Sequence, residues 1–393
     1  MAKKTNKHSL ILFLFIFATL GGAGAGFYFG MDYTRQHYNQ LSQKIDLNAI
    51  LDALNIIEER YVGTIDYQKM LYGAIRGLVR GVGDDYTDYF DPQEAKLFQE
   101  DISGSFEGVG IEITMRDGQL VVVSPIEGTP AYKAGILPKD KILKIGDTLT
   151  NELTLEEAAL MIRGKKGTPV KLTIYRDGWE EPKEIEIIRD RIIIPWVKLE
   201  FIDGNIAHLS ILQFTENVNA QFKQAAQKIL NRGVKKIILD LRNNPGGVLS
   251  KAVDIAGWFL ERGDVVVYEK LSDGTEIPYR AKGNSKLNDA KLVILVNGGT
   301  ASASEILAGA LKENKKDVKL IGEKTFGKGT VQEAVNFREG LIKVTVAYWL
   351  TPHKKMIEKF GLQPDIEVKM TEEDFKADRD PQLEKAIEVI KNL

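Results

Sequence analysis

Residues 293–332, VILVNGGTASASEILAGALKENKKDVKLIGEKTFGKGTVQ, run through an apolar segment, a Ser-rich turn, a helix-favouring segment, a second apolar segment and a lysine between glycines. Residues 293–296 read as a buried strand that Asn297, Gly298 and Gly299 break, and the Ala and Leu content of residues 305–311 favours a helix. Ser302 therefore falls at a strand-to-helix turn. There a hydroxyl is exposed and the free N–H groups of the helix start face whatever binds beside it, which suits a nucleophile next to a developing oxyanion. The same pattern also fits a serine that only caps the helix.

A second apolar run at residues 318–321 precedes Gly327, Lys328 and Gly329. Flanking glycines let the backbone bend tightly. A lysine folded into an apolar cleft loses hydration, its pKa falls, and the neutral amine can take a proton from a serine hydroxyl. Serine–lysine pairs are a variant of triad logic. A rival reading uses the same residues, because 322–328 fit the first seven positions of a phosphate-binding loop. Gly329 then stands where Ser or Thr should hold magnesium, and the following VQEAVNFREGLIKVTVAYW reads as strands instead of a phosphate-binding helix.

TASASEI followed by GEKTFGKGTVQ resembles the signature of the C-terminal processing peptidases, also called tail-specific proteases. The resemblance implies Ser302 as nucleophile, Lys328 as general base and Gln332 as the residue orienting the lysine. This chain has Thr300 where the family usually has Ser, and its serine-to-lysine interval is one residue longer, the extra residue lying within 313–319. Upstream, Gly246 and Gly247 in LDLRNNPGG bring bare backbone N–H groups to a strand end where an oxyanion could sit, although a plain strand-to-helix turn reads the same way. The resemblance makes this the oxyanion segment, with the Ala303 N–H as second donor, and leaves Asp240 and Arg242 as a structural ion pair.

The 393 residues, 44% hydrophobic and 27% charged, suffice for two or three modules with proper cores. Lys plus Arg number 53 against 55 for Asp plus Glu, so the net charge of −2 gives no electrostatic case for a nucleic-acid partner. No cysteine is present, which removes disulfides, thiol catalysis and cysteine–zinc sites. His8, His37, His208 and His353 share no metal-binding spacing, although His208 or His353 could in principle serve a histidine-based serine triad.

Lys3, Lys4 and Lys7 precede an uncharged run over residues 9–30, about the length that spans a bilayer. The positive-inside rule then leaves the N-terminus in the cytoplasm and exports the rest, with residues 1–30 as cytoplasmic tip and uncleaved anchor. Residues 31–103 form a helical region with two or more amphipathic helices. Within it, DDYTDYFDP (residues 84–92) lacks the ligand spacing of a calcium loop and reads as a turn with helix-capping aspartates.

Residues 104–191 carry strand signals at 110–114, 120–123, 141–145, 170–176 and 184–188, with helices at 130–134 and 155–163. This order resembles a PDZ domain in the permuted form of bacterial proteases. It implies that Gly108, Val109, Gly110 and Ile111 capture a terminal carboxylate before a strand edge accepts the peptide. Arg163, at the end of the second helix, is a candidate link between a bound tail and the catalytic region, or simply a cation favoured by the helix dipole. Residues 192–393 form a layered α/β region, with strands at 206–211 and 237–241, helices at 219–230 and 249–260, and a charged amphipathic helix over 371–393.

The expected fold is multi-domain α/β: a membrane helix, a helical segment, a PDZ domain and an α/β serine-lysine peptidase domain. The expected function is that of an exported, membrane-anchored serine endopeptidase acting on proteins with free C-termini, with no metal or organic cofactor and a homo-oligomer allowed. An inactive PDZ scaffold that only binds peptides is the alternative.

Overall fold

The computed structural model describes residue 46 and residues 48–393 apart from 117 and 339. The membrane run expected at residues 9–30 lies outside them. Among the described residues no helix is long and apolar enough to cross a membrane. The chain forms two compact units that meet after Ala74. The first contains α1 (Asn48–Arg60) and the start of α2 (Tyr67–Arg80).

In the second unit, a turn after α2 leads to β1 (Asp88–Phe90) and α3 (Pro92–Ser103). Asp91 caps α3 by accepting from the Gln93 and Glu94 amides, and Glu94 returns the bond to the Asp91 N–H, so the capping role expected of this acidic stretch is met. Next comes β2 (Ser105–Gly108), which pairs with β9 (Asp190–Ile193), so one two-stranded ribbon carries the chain both into and out of the intervening module.

That module holds β3 (Ile111–Arg116), β4 (Gln119–Pro125), α4 (Pro130–Lys133), β5 (Lys141–Ile145), β6 (Thr148–Leu149), α5 (Leu155–Ile162), β7 (Pro169–Tyr175) and β8 (Lys183–Ile188). Its sheet runs β3-β4-β5-β7-β8, with β6 paired to β5. Alternate residues Leu120 and Val122, and Val170, Leu172 and Ile174, turn inward to pack with Ile142, Ala158 and Ile162. β3 is an edge strand, and α5 packs beside it.

The remaining chain is built on a six-stranded sheet from β10 (Val197–Ile202), β11 (Ile206–Ile211), β12 (Lys236–Asp240), β15 (Lys291–Val296), β16 (Lys319–Gly322) and β19 (Ile366–Glu367), in that order. All neighbours are parallel except β10 and β11. Parallel strands buried on both faces need apolar residues at every position. Leu209, Leu239, Ile294 and Leu320 face α6 (Val218–Arg232), α7 (Leu249–Phe259) and α8 (Ala303–Asn314). Ile206, Ile238, Val293 and Ile321 face the opposite side with Ala386 and Ile390.

A second, antiparallel sheet is built around the long β18 (Gly340–Leu350), flanked by β17 (Thr330–Phe337), β1 and β13 (Val265–Leu271), with β14 (Glu276–Arg280) beyond β13.

The C-terminal segment corrects one expectation. Instead of a single helix over 371–393 there are two, α9 (Glu372–Lys376) and α10 (Pro381–Asn392). Asp378 takes φ 51°. Asp380 then caps a new helix whose first residue is Pro381, where the missing N–H costs nothing. Asp240, Arg242 and Asp380 form the structural ion network that fastens α10, with Arg242 donating to both carboxylates at 2.7 and 2.8 Å and His208 Nε2 3.1 Å from Asp240. Burial pushes the Asp240 pKa up, but hydrogen bonds from His208 and Arg242 outweigh it and hold the carboxyl below its usual range.

Candidate active site

Ser302 follows β15 by a short turn and precedes α8 with φ 55° and ψ −119°, a strained conformation for a residue with a Cβ. The surrounding bonds over-determine it. Thr300 is fully buried and donates from Oγ1 to Leu241 O at 2.8 Å, so either Ser or Thr could supply that hydroxyl. Asn244, also fully buried, accepts the Ala301 amide and the Ser304 hydroxyl on its carbonyl oxygen, which joins the turn after β12 to the turn carrying Ser302.

Gly246 is where these two turns come closest. A Cβ there would lie 2.7 Å from Ala301 O and 2.8 Å from Ser302 Cβ, so no other residue fits without displacement. The Gly246 N–H, however, donates to Asn244 Oδ1 at 2.9 Å. This corrects the expectation that both glycine amides serve an oxyanion: Gly246 serves by letting the turns approach. Among the described residues the Gly247 and Ala303 amides have no hydrogen-bond partner, and both residues line one cavity of about 590 Å³ with Ser302, Lys328 and Gln332.

Lys328 follows β16 on a Gly-flanked loop. Burial pushes its ammonium pKa down, nearby Lys343 adds to this, and Glu358 partly offsets it. Its Nζ lies over the ring of Tyr86, 4.7 Å from the centroid, and among the described residues no hydrogen bond joins it to Ser302 Oγ. Gln332 lies on β17 and donates from Nε2 to Thr330 Oγ1 at 2.5 Å and Thr345 Oγ1 at 3.5 Å; it makes no bond to Lys328 in this arrangement. His208 serves Asp240, and exposed His353 lies near Glu313.

Two residues that the sequence pattern does not assign to the site, Glu305 and Tyr86, lie against Ser302 and Lys328. Glu305 is fully buried and accepts from the Ser302, Lys328 and Gly327 amides and from the Thr325 hydroxyl. The S-x-x-E capping-box pattern was the available signal for it. Tyr86 had none, because its partner is distant in sequence.

In the PDZ-like module, Val109 is fully buried and its carbonyl accepts the Ala131 amide, while Gly110, at φ 81°, accepts from Ile126 N and Thr129 Oγ1. The Val109 and Gly110 amides have no partner among the described residues. Gly108 ends β2 and Ile111 opens β3. Arg163 follows α5, donates to Glu100 Oε2 of α3 at 2.7 Å and lies 4.7 Å over the Phe106 ring of β2.

Three family profiles match in sequence: Activating protease CtpB N-terminal domain over residues 22–94, PDZ domain over 108–187 and Peptidase family S41 over 205–368. The chain is 40% identical over 315 residues to the Carboxy-terminal processing protease CtpA of Bacillus subtilis (strain 168), covering 80% of this chain and 67% of that one. It is also 40% identical to a Staphylococcus epidermidis (strain ATCC 12228) protein named Probable CtpA-like serine protease, over 83% of this chain and 66% of that one. It thus spans about two thirds of the length of these relatives. The solved Photosystem II D1 C-terminal processing protease is 30% identical, with a TM-score of 0.49 over 79% of this chain and 84% of that one. With an S41 profile around the Ser302 and Lys328 turns and a PDZ profile on the inserted module, the chain belongs to the C-terminal processing peptidases, serine-type proteases of family S41.

Proposed function

We propose that this chain is an exported, membrane-anchored endopeptidase that cuts proteins selected by their C-termini, using Ser302 as nucleophile, Lys328 as base and Gln332 to orient the lysine. The observation that carries this reading is the single cavity shared by those three residues and the unpartnered amides of Gly247 and Ala303. Ser302 Oγ attacks the scissile carbonyl carbon while neutral Lys328 Nζ takes the hydroxyl proton, and the charge that develops on the carbonyl oxygen falls between the two amides. The proton passes from Lys328 to the leaving amine as the C–N bond breaks. Water then resolves the acyl-enzyme, with the lysine again accepting a proton.

Selection falls to the PDZ module. A peptide adds to the open edge of β3 beside α5 and its carboxylate meets the amides around Gly108, Val109, Gly110 and Ile111. Arg163 then couples tail binding to the catalytic region through Glu100 and Phe106. The charge-flanked apolar run at residues 9–30 supports anchoring with the remainder outside the cytoplasm.

Detergent-solubilised full chain incubated with an unstructured polypeptide tests the reading: cleavage without nucleotide that Ser302→Ala abolishes supports it, whereas binding without cleavage favours a peptide-binding scaffold. Protease protection of sealed cells tests the orientation. Degradation of the catalytic part from outside is expected, and full protection overturns it.

A further inference from the structure

The Lys328 ammonium lies over the Tyr86 ring and makes no hydrogen bond to Ser302 Oγ among the described residues. The turn that carries Tyr86 is firmly held. Asp84 Oδ2 accepts from the hydroxyls of Thr87 at 2.5 Å and Thr345 at 2.7 Å, the Thr345 amide donates to Thr87 Oγ1 at 3.1 Å, and the following β1 is paired along β18. Thr345 also stands opposite Gln332 in the β17–β18 ladder. One turn, from far upstream in sequence, therefore reaches the neighbourhood of both the lysine and the glutamine.

We propose that Tyr86 is a positioning residue for the base: its ring face holds Lys328 in the ammonium form, short of Ser302, and the lysine acts only when it leaves that face. The inference rests on the reading of Lys328 as base. An aromatic face attracts a cation electrostatically and attracts a neutral amine far less, so the ring favours the protonated, inactive lysine. Among the described residues the charged groups around the pair are Lys343 of β18, Glu358 on the loop after it, Asp84 and Asp85 of the same turn, and Glu305 of α8. Lys343 disfavours a cation at Lys328 and Glu358 favours one. Tyr86 itself stays neutral, because burial and the carboxylates of Glu358, Asp85, Asp84 and Glu305 all push its hydroxyl pKa up.

The test is the pH profile of kcat/KM for full-length wild type, Tyr86→Phe, Tyr86→Leu and Lys328→Ala. Phenylalanine keeps the ring face and leucine removes it. Tyr86→Phe is expected to overlay wild type, and Tyr86→Leu to move the ascending limb to lower pH by about half to one unit, raising activity on the acidic side of the limb by about three- to tenfold. An unmoved limb in Tyr86→Leu, or the same movement in both variants, overturns the proposal. If leucine prevents folding, phenylalanine with successive ring fluorines at position 86 keeps the shape and weakens the negative face. The limb should then step down with each fluorine, and a constant limb overturns the proposal. An inactive Lys328→Ala beside an unmoved Tyr86→Leu limb removes only the role of Tyr86, whereas an active Lys328→Ala with an intact limb removes the base reading and this inference together.

Discussion

Ser302 and Lys328 donate their backbone amides to the same oxygen, Oε2 of buried Glu305, at 2.9 and 3.0 Å. The other oxygen accepts the Gly327 amide at 2.8 Å and the Thr325 hydroxyl at 2.5 Å. The Ser302 turn and the Lys328 loop thus share one buried acceptor. Burial raises the Glu305 pKa, and the four donors partly offset this.

Glu305→Gln places an NH2 group against donors on one side or the other. The expected result is a loss of about 2–4 kcal/mol in unfolding free energy, measured by denaturant titration, because buried donors lose their acceptor. A fall of about 10²-fold in kcat accompanies it, since small displacements of catalytic groups cost about that much. Unchanged stability and turnover would mean that the two turns are held by other means.

Ser302→Ala and Lys328→Ala are each expected to reduce kcat by about 10³-fold or more while leaving the circular dichroism spectrum unchanged, because in the proposed mechanism both side chains serve one proton-transfer step. Gln332→Ala should lose less, about tenfold, because its proposed part is to orient the base. Residual activity within about tenfold of wild type in either of the first two variants removes the dyad.

Under the proposed mechanism Lys328 functions when neutral, so activity should rise with pH. Burial and Lys343 lower the Lys328 pKa, and the midpoint of the rise should therefore fall below the ordinary lysine value of about 10.4. Chelators should have no effect. His208→Gln and His353→Gln should retain the same limb; its loss in either folded variant would make histidine the base.

How much of this was legible in sequence depends on how far apart the interacting residues lie. Ser302, Lys328 and the Gly246–Gly247 pair stand in short motifs whose chemistry is local, and the strands of the central sheet show as apolar runs because both faces are buried. Glu305 was legible in principle, three residues after Ser302, but a capping box reads as a helix start and does not announce a second partner on another loop. Tyr86 and Asp84 meet Lys328 and Thr345 through tertiary structure alone. The Gly246 amide was misread because the side chain that occupies it, Asn244, lies in the same motif, and spacing does not show where an amide points. In the tail, amphipathic spacing hid the break before Pro381.

The network at α10 has its own pH signature. Burial raises the Asp240 and Asp380 pKa values, but hydrogen bonds from His208 and Arg242 to Asp240, and from Arg242 to Asp380, more than reverse this and leave both depressed. A depressed carboxyl contributes stability that is present above its unfolded pKa and lost as pH falls through its folded one. The protection of α10 against hydrogen exchange, taken relative to the intrinsic exchange rate at each pH, should therefore stay high at neutral pH and fall only below about pH 4. Arg242→Met should lower it at neutral pH. Equal protection in that variant at pH 7 would show that apolar contacts of Ala386 and Ile390 suffice.

The PDZ module enters and leaves through the β2–β9 ribbon, which joins it to α3 on one side and to β10, at the edge of the six-stranded sheet, on the other. Arg163 spans this junction, bonded to Glu100 of α3 and stacked on Phe106 of β2. If tail capture shifts the enzyme toward its active arrangement, Arg163→Ala should lower cleavage of a substrate with a free apolar C-terminus by about tenfold or more, with a Tm change too small to explain it. Amidating the C-terminus should lower cleavage similarly in wild type and add little in the variant, because both interrupt one link. Glu100→Ala should resemble Arg163→Ala, and the double variant should be no worse than either single one. Equal cleavage of free and amidated substrates together with full activity in Arg163→Ala would reduce the PDZ domain to a tether. Additive losses in the double variant would instead separate the Arg163–Glu100 pair from the gate.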